Sequence, residues 1–216
     1  EHVSIPRFAL SAASFCFALY LFTGLLGNPL SALSGFLPQN SVMKTAQKNN
    51  SEEKLATFSG QYLLCNITPK HSELGLSGPA NLPSFFDLNE GLSCAKQQGK
   101  NVLLAFKGRT CSNCKKMDGE AFSDQRVQDL LLEKYVIIAL YLDDKTELLA
   151  SEWYTSAFDG KTKKTIGDTN KDYLITRYHV NAMPYFATLD SDGKMIGKPV
   201  GYVGTSEFLE FLLQKN

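Results

Sequence analysis

The stretch from residue 101 to residue 117 restricts the possible folds more than any other part of the chain. A short apolar run at 102–106 follows a Gly99-Lys100-Asn101 break and is brief enough to be a buried strand. Gly108-Arg109-Thr110 reads as a turn, and Cys111-Ser112-Asn113-Cys114 then opens what looks like a helix. Cysteines at i and i+3 of a helix start are close enough to form a disulfide. The first lies where free backbone N–H groups and the helix dipole stabilise a thiolate. These are the physical requirements of a reversible dithiol/disulfide site. Cys111, nearest the helix start, is the expected nucleophile, and Cys114 the resolving thiol that breaks a mixed disulfide. Lys107, Arg109, Lys115 and Lys116 are close in sequence, and their charge is expected to bring the Cys111 pKa below the free value of about 8.5.

The competing reading is a structural or metal-binding cysteine pair. A structural zinc site takes four ligands, and the sequence has no second close Cys/His pair; His2, His71 and His179 are scattered. No metal or cofactor is therefore expected. Five cysteines are an odd count and too few for a disulfide scaffold. Cys94 is expected to be a buried small hydrophobe, Cys16 a packing residue, and Cys65 has no assigned role. Lys+Arg and Asp+Glu both number 22, so no charge excess favours a nucleic-acid partner, and none is expected.

Between Arg7 and Lys44 there is no charged residue at all. Within that interval, residues 8–26 are dominated by Phe, Leu, Ala and Tyr, and as a helix they would span roughly 28 Å, close to the hydrocarbon thickness of a bilayer. A signal peptide or a buried core helix are the alternatives. A signal peptide normally starts at Met and has a shorter apolar region, so a transmembrane helix is the reading taken. Arg7 before the span and Lys44, Lys48 and Lys54 beyond it mark its orientation only weakly. The start at Glu1 fits a processed form or a piece of a longer protein. Gly27-Asn28-Pro29 breaks the span, and an apolar exit segment runs to Pro38, so residues 1–38 form the first unit. Residues 39–84 read as a polar linker and N-terminal extension with a possible strand at 62–65. Residues 85–216 read as the folded domain.

In that domain Asp87-Leu88-Asn89-Glu90 has capping-box spacing, with Asp87 as N-cap and Glu90 reaching back. Leu88, Leu92 and Ala95 give the helical period, and Gly99 supplies a stop. After the 101–107 strand and the dithiol helix, Ser123 is expected to cap a helix with Val127, Leu130 and Leu131 on one face. A buried strand follows at 135–142, a helix at 172–178, a strand entered through Met183-Pro184, an Asp190 to Gly193 turn, a strand at 194–200, and a helix capped by Thr205 that carries Phe208, Phe211 and Leu212. Strands alternating with helices, then a terminal hairpin and helix, indicate an α/β domain with a mixed central sheet flanked by helices.

That order, with C-x-x-C after the first core strand and an X-Pro before the third, resembles the thioredoxin fold. Cys114-Lys115-Lys116-Met117-Asp118, Ala121-Phe122-Ser123-Asp124, Leu140-Tyr141-Leu142-Asp143-Asp144 and Met183-Pro184-Tyr185 resemble the C-terminal periplasmic domain of the DsbD thiol–disulfide interchange family. The uncharged span ending in Leu33-Ser34-Gly35-Phe36-Leu37-Pro38 is similar to that family's last transmembrane helix. The resemblance implies a membrane-tethered protein-disulfide reductase in the bacterial inner membrane, with its thioredoxin-like domain in the periplasm. Electrons would reach the Cys111/Cys114 dithiol from a membrane electron-donor domain and pass to a periplasmic disulfide-bearing acceptor that serves isomerases and cytochrome c maturation. It also implies that Pro184 is cis, exposing the Met183 backbone to an incoming peptide; the bland alternative is an ordinary proline at a strand start. A stand-alone tethered thioredoxin-like protein, or a binding module with a structural disulfide, are the other functional readings.

Two positions depart from the family pattern. Thr110 stands where thioredoxin-like domains usually have Trp, and Ala105 where many members bury an acid that manages the resolving cysteine's proton. Asp118, one helical turn beyond Cys114, matches an acidic position of the family and is the candidate substitute; a solvated helix acid is the competing reading. Residues 143–169, with Trp153, Tyr154 and Lys161-Thr162-Lys163-Lys164, exceed a minimal crossover. They read as a surface elaboration packed by its own aromatics, the alternative being a partner-docking insertion.

Overall fold

A computed structural model describes residues 5–25, 65 and 67–214. The chain divides into two compact units, residues 1–42 and 43–216. In the first, helix α1 (Ile5–Leu25) is apolar and long enough to cross a membrane, and its described side chains are almost all exposed. It is one N-terminal candidate membrane helix. The expected exit segment at 27–38, the linker at 39–59 and the strand at 62–65 lie outside the described residues, apart from Cys65. That residue is in a turn with φ +54°.

The second unit is built on a five-stranded sheet. Its elements are β1 (Ser84–Phe85), α2 (Leu88–Gln98), β2 (Asn101–Lys107), α3 (Ser112–Gly119), α4 (Gln125–Lys134), β3 (Tyr135–Tyr141), the short hairpin β4 (Tyr154–Thr155) and β5 (Thr162–Lys163), α5 (Ile166–Tyr178), β6 (Tyr185–Leu189), β7 (Met195–Val200) and α6 (Thr205–Leu212). The strand order is β1-β3-β2-β6-β7, with β1, β3 and β2 parallel and β6 and β7 antiparallel to their neighbours. Val102 to Phe106 are all fully buried because β2 is central and covered on both faces, which is why its sequence is a continuous apolar run. Leu103 and Ala105 face a cluster with Met117, Phe122, Val127, Leu131 and Phe208, so α3, α4 and α6 cover one side. Val102, Leu104 and Phe106 face Cys94, Ala95 and Leu174, so α2 and α5 cover the other. The sheet is mixed and helix-flanked, as expected of a thioredoxin-like α/β domain.

Several helix starts differ from the sequence expectation. Asp87 does cap α2, accepting from the Glu90 amide at 3.0 Å, and Gly99 ends it at φ +63°. The Glu90 carboxylate, however, accepts from the backbone of Lys70 at 2.8 Å instead of reaching back, so only half of the capping box forms. Asp124, not Ser123, caps α4, and Gly204, not Thr205, precedes α6. Helix α5 begins at Ile166 rather than at 172, with the Thr165 hydroxyl accepting from the Asp168 amide at 3.1 Å. Its first turn lies directly on the end of β3: a Cβ on Gly167 would stand 2.6 Å from the Asp144 carbonyl. The insertion is tied down through the polar tips of its aromatics. Tyr154 donates to Asp172 at 2.8 Å, and the Trp153 indole donates to the Leu148 carbonyl at 2.9 Å.

Candidate functional site

The site begins where β2 leaves the sheet. Gly108 follows Lys107 in close contact with two other segments: a Cβ there would be 2.7 Å from Met183 Sδ and 2.9 Å from an Asp143 carboxylate oxygen. This packing brings the Met183-Pro184 loop beside the turn that leads to the dithiol, and the peptide bond between those residues is cis. Asp143, just past the end of β3, orders the turn. It accepts from the Arg109 amide at 2.9 Å, from the Thr110 amide at 3.1 Å and from the Thr110 hydroxyl at 3.0 Å. Burial pushes the Asp143 carboxyl up, but these donors outweigh it and hold it below the usual carboxylate value. Thr110, standing where thioredoxin-like domains usually have Trp, thus uses its hydroxyl to close the turn.

Cys111 is the N-cap of α3, and its Sγ accepts from the Cys114 amide at 3.1 Å. That N–H is one of the donors a helix start leaves unpaired, and it points at the sulfur where thiolate charge would develop. Cys111 and Cys114 form a disulfide with their Cα atoms 5.2 Å apart. Cys111 is 8% exposed and Cys114 3%, so the first cysteine is the more accessible of the two.

The expected cationic surroundings are organised differently. The Lys107 ammonium is buried and lies 3.1 Å from Asp118. Arg109 donates twice to Asp144, at 3.1 and 2.8 Å, and once to the Leu74 carbonyl at 2.9 Å. Lys116 lies over the Tyr202 ring, 5.2 Å from its centroid. Two of the four charges are therefore matched by carboxylates, and the helix start supports a thiolate beside the charges that remain.

Asp118 is not a solvated helix acid: its side chain is 15% exposed and sits between Lys107 and the Ala80 backbone N–H. Burial raises its pKa, and the Lys107 charge, the Lys107 hydrogen bond and the Ala80 N–H offset that only in part, so it stays above the ordinary carboxylate value. It shares a face of α3 with Cys114, one turn away, and helical side chains lean towards the preceding turn. Ala105 of β2 faces the same cluster as Met117 of α3. Lys107 at the end of β2 thus pairs with Asp118 of α3.

Three features of this region were not read from the sequence: the Asp143 anchor, the Asp144–Arg109 pair and a second disulfide. The acid doublet at the end of an apolar strand was a signal for the first two. Cys65 and Cys94 are disulfide-bonded, with Cα atoms 5.8 Å apart, which corrects the expectation of an isolated buried Cys94. Cys16 is a free, exposed cysteine in α1. Among the described residues no group of three or more His, Cys, Asp or Glu side chains is gathered in a way that could hold a metal ion.

A mixed sheet whose central strand runs through a turn into a helix capped by the first cysteine of a C-x-x-C, with a cis X-Pro alongside, defines a thioredoxin-like thiol–disulfide oxidoreductase. The chain belongs to the Thioredoxin-like domain family, whose profile matches residues 88–216. No curated protein matches the sequence. Among solved structures it is similar to a thioredoxin from Thermus thermophilus (23% identity, 60% of this chain and 83% of that one, TM-score 0.42). It is also similar to a DsbH oxidoreductase (18%, 62% and 82%, TM-score 0.43). A third is the oxidised C-terminal domain of DsbD from Neisseria meningitidis (18%, 62% and 100%, TM-score 0.42).

Proposed function

We propose that the chain is a membrane-tethered protein-disulfide reductase, the C-terminal part of a DsbD-like electron relay. The reading rests above all on Cys111, an N-cap cysteine whose sulfur accepts the Cys114 amide and which is the more exposed of the pair. In the reduced enzyme the Cys111 thiolate attacks one sulfur of a partner's disulfide. A mixed disulfide forms and the partner's other sulfur leaves as a thiolate. Cys114, once deprotonated, attacks Cys111 Sγ, which closes the Cys111–Cys114 disulfide and releases the second partner thiolate. Two electrons pass to the partner, and Asp118 takes the Cys114 proton, its raised proton affinity suiting it to that task. A dithiol of a membrane donor domain then restores the reduced pair by the same exchange in reverse. Met183, held against Gly108, and the cis-linked Pro184 after it would present backbone to the partner's cysteine segment.

The tether reading draws on α1 and on the sequence resemblance to the last transmembrane helix of the DsbD family. The Cys65–Cys94 disulfide supports placing the domain on the extracytoplasmic, periplasmic side, since disulfides persist in oxidising compartments. The test is Cys114→Ser in membranes under reoxidising conditions, followed by identification of whatever is linked to Cys111. A trapped membrane donor or periplasmic acceptor is the expected result. If nothing is trapped, the relay fails. Trapping only of soluble partners, with no membrane donor, would favour a stand-alone tethered protein.

A further inference from the structure

The segment between Cys65 and β1 belongs to neither the sheet nor the flanking helices, yet it touches both charged groups that flank the dithiol. The Leu74 carbonyl accepts from Arg109 at 2.9 Å. Ser77 and the Tyr141 hydroxyl exchange two hydrogen bonds, at 2.8 and 3.3 Å. The Ala80 backbone N–H lies close enough to the Asp118 carboxylate to lower its pKa slightly, and the Ala80 side chain packs against the cluster that contains Met117 of α3. The segment is therefore a strap across the supports of the exchange site.

Little apolar burial holds the first part of this strap. Among its described residues from 65 to 77 only Pro69 is buried. Several of its non-glycine residues have left-handed backbone: Cys65 at φ +54°, His71 at +67°, Ala80 at +46° and Asn81 at +60°. Residues of these types adopt that region at a cost and keep it only where their surroundings hold them. At its start the strap is fastened to α2 by two means, the Cys65–Cys94 disulfide and the Lys70 amide on Glu90 at 2.8 Å. Cys94 is 2% exposed within the core, so the covalent anchor is rigid.

We propose that the Cys65–Cys94 disulfide is a clamp that holds the first part of the strap, residues 67–77, on the Arg109 side of the dithiol, making Cys65 and Cys94 positioning residues for exchange at Cys111/Cys114. The proposal rests on the reading that the Cys111/Cys114 pair exchanges disulfides. Without the clamp the thinly buried 67–77 part of the strap leaves and Arg109 loses the Leu74 carbonyl, while Pro79 and Leu82, both buried, keep the end of the strap in the core. The Arg109 charge then reorients beside the dithiol, which shifts its exchange equilibrium.

The test compares the full chain in detergent with the Cys65→Ala/Cys94→Ala variant; alanine keeps an apolar side chain at the buried position. Two quantities are read: the rate of tryptic cleavage after Lys70, and the equilibrium of the Cys111–Cys114 pair with a reduced and oxidised glutathione mixture, by alkylation of Cys111. The expected result is cleavage at least tenfold faster together with at least a threefold shift in the exchange constant. Cleavage faster by less than that, or an exchange constant within threefold of the parent, overturns the clamp. A parent chain that does not exchange at all overturns the reading of the site itself, and the clamp with it. Should the double variant not fold, Cys65→Ser, which leaves the buried Cys94 thiol in place, carries the same two readouts and the same thresholds.

Discussion

Replacing Lys107 by Met separates the charge at that position from its packing. Lys107 ends β2 with its side chain 6% exposed and meets Asp118, 15% exposed, at 3.1 Å. Methionine keeps a flexible apolar stem and removes the ammonium, so Asp118 loses both the hydrogen bond and the neighbouring charge that Lys107 gives it. Stripping one partner from a buried ion pair costs roughly 3–5 kcal/mol. Asp118 retains some solvent contact, which places the expected loss near the lower end, about 3 kcal/mol at pH 8. A domain has only about 5–15 kcal/mol in all. The loss has a definite pH signature. Burial already raises Asp118 in the parent, and removing the neighbouring cation raises it further. An acid whose folded pKa lies above its unfolded value of about 3.9 destabilises the fold when ionised. Its contribution is most favourable below the unfolded value and is lost as pH rises through the folded value. The cost of Lys107→Met should therefore shrink to about 1 kcal/mol or less near pH 4. Urea unfolding of the full chain in detergent at pH 4, 6 and 8 measures it. Adding Asp118→Asn should recover most of the loss at pH 8, because a pair removed together leaves no buried charge unpaired. A loss equal at all three pH values, or no recovery in the double variant, would refute the pairing as the source of the effect.

Gly108→Ala should cost about 1–3 kcal/mol by overpacking against Met183 and Asp143; it should also slow insulin reduction by dithiothreitol, and an unchanged rate would count against the proximity of these groups mattering. Asp143→Ala removes three hydrogen bonds from the Arg109–Thr110 turn and should lower stability by about 2–3 kcal/mol at pH 7, with Asp143→Asn losing less. Because the folded Asp143 pKa is depressed, that contribution is present above the unfolded value and fades as pH falls through the folded one, so the melting temperatures of the parent and Asp143→Ala should draw together as pH is lowered below the unfolded value of about 3.9. Phe208→Ala empties a fully buried position whose ring lies 4.8 Å from Phe122 and 5.3 Å from Phe186, and should cost about 3–5 kcal/mol in thermal melts.

Where local signals were strong, sequence reasoning placed the elements well. Strand β2 has the expected bounds because a central strand buried on both faces must be an uninterrupted apolar run. The start of α5 was missed because its opening Ile166-Gly167-Asp168-Thr169-Asn170 contains poor helix formers. What makes it helical is the Thr165 cap and the close fit of Gly167 on the Asp144 carbonyl. Strand β1 is two residues long, too short to show any alternation, and exists because β3 offers it an edge. The half-formed capping box failed for a similar reason: Glu90 had a better use, in holding the strap at Lys70.

By itself the sequence determined the apolar span, the order of the longer strands and helices, and a dithiol whose first cysteine starts a helix. These follow from periodicity, turn residues and spacing, all of which act over a few residues. Only the tertiary structure decided which charges flank that dithiol and which are cancelled. Lys107 and Asp118 come from different elements, Arg109 turns away to Asp144, and Cys65 finds Cys94 across 29 residues. Coulomb interactions and disulfide closure depend on distance in space, and no local pattern encodes the packing of a strap against a strand end.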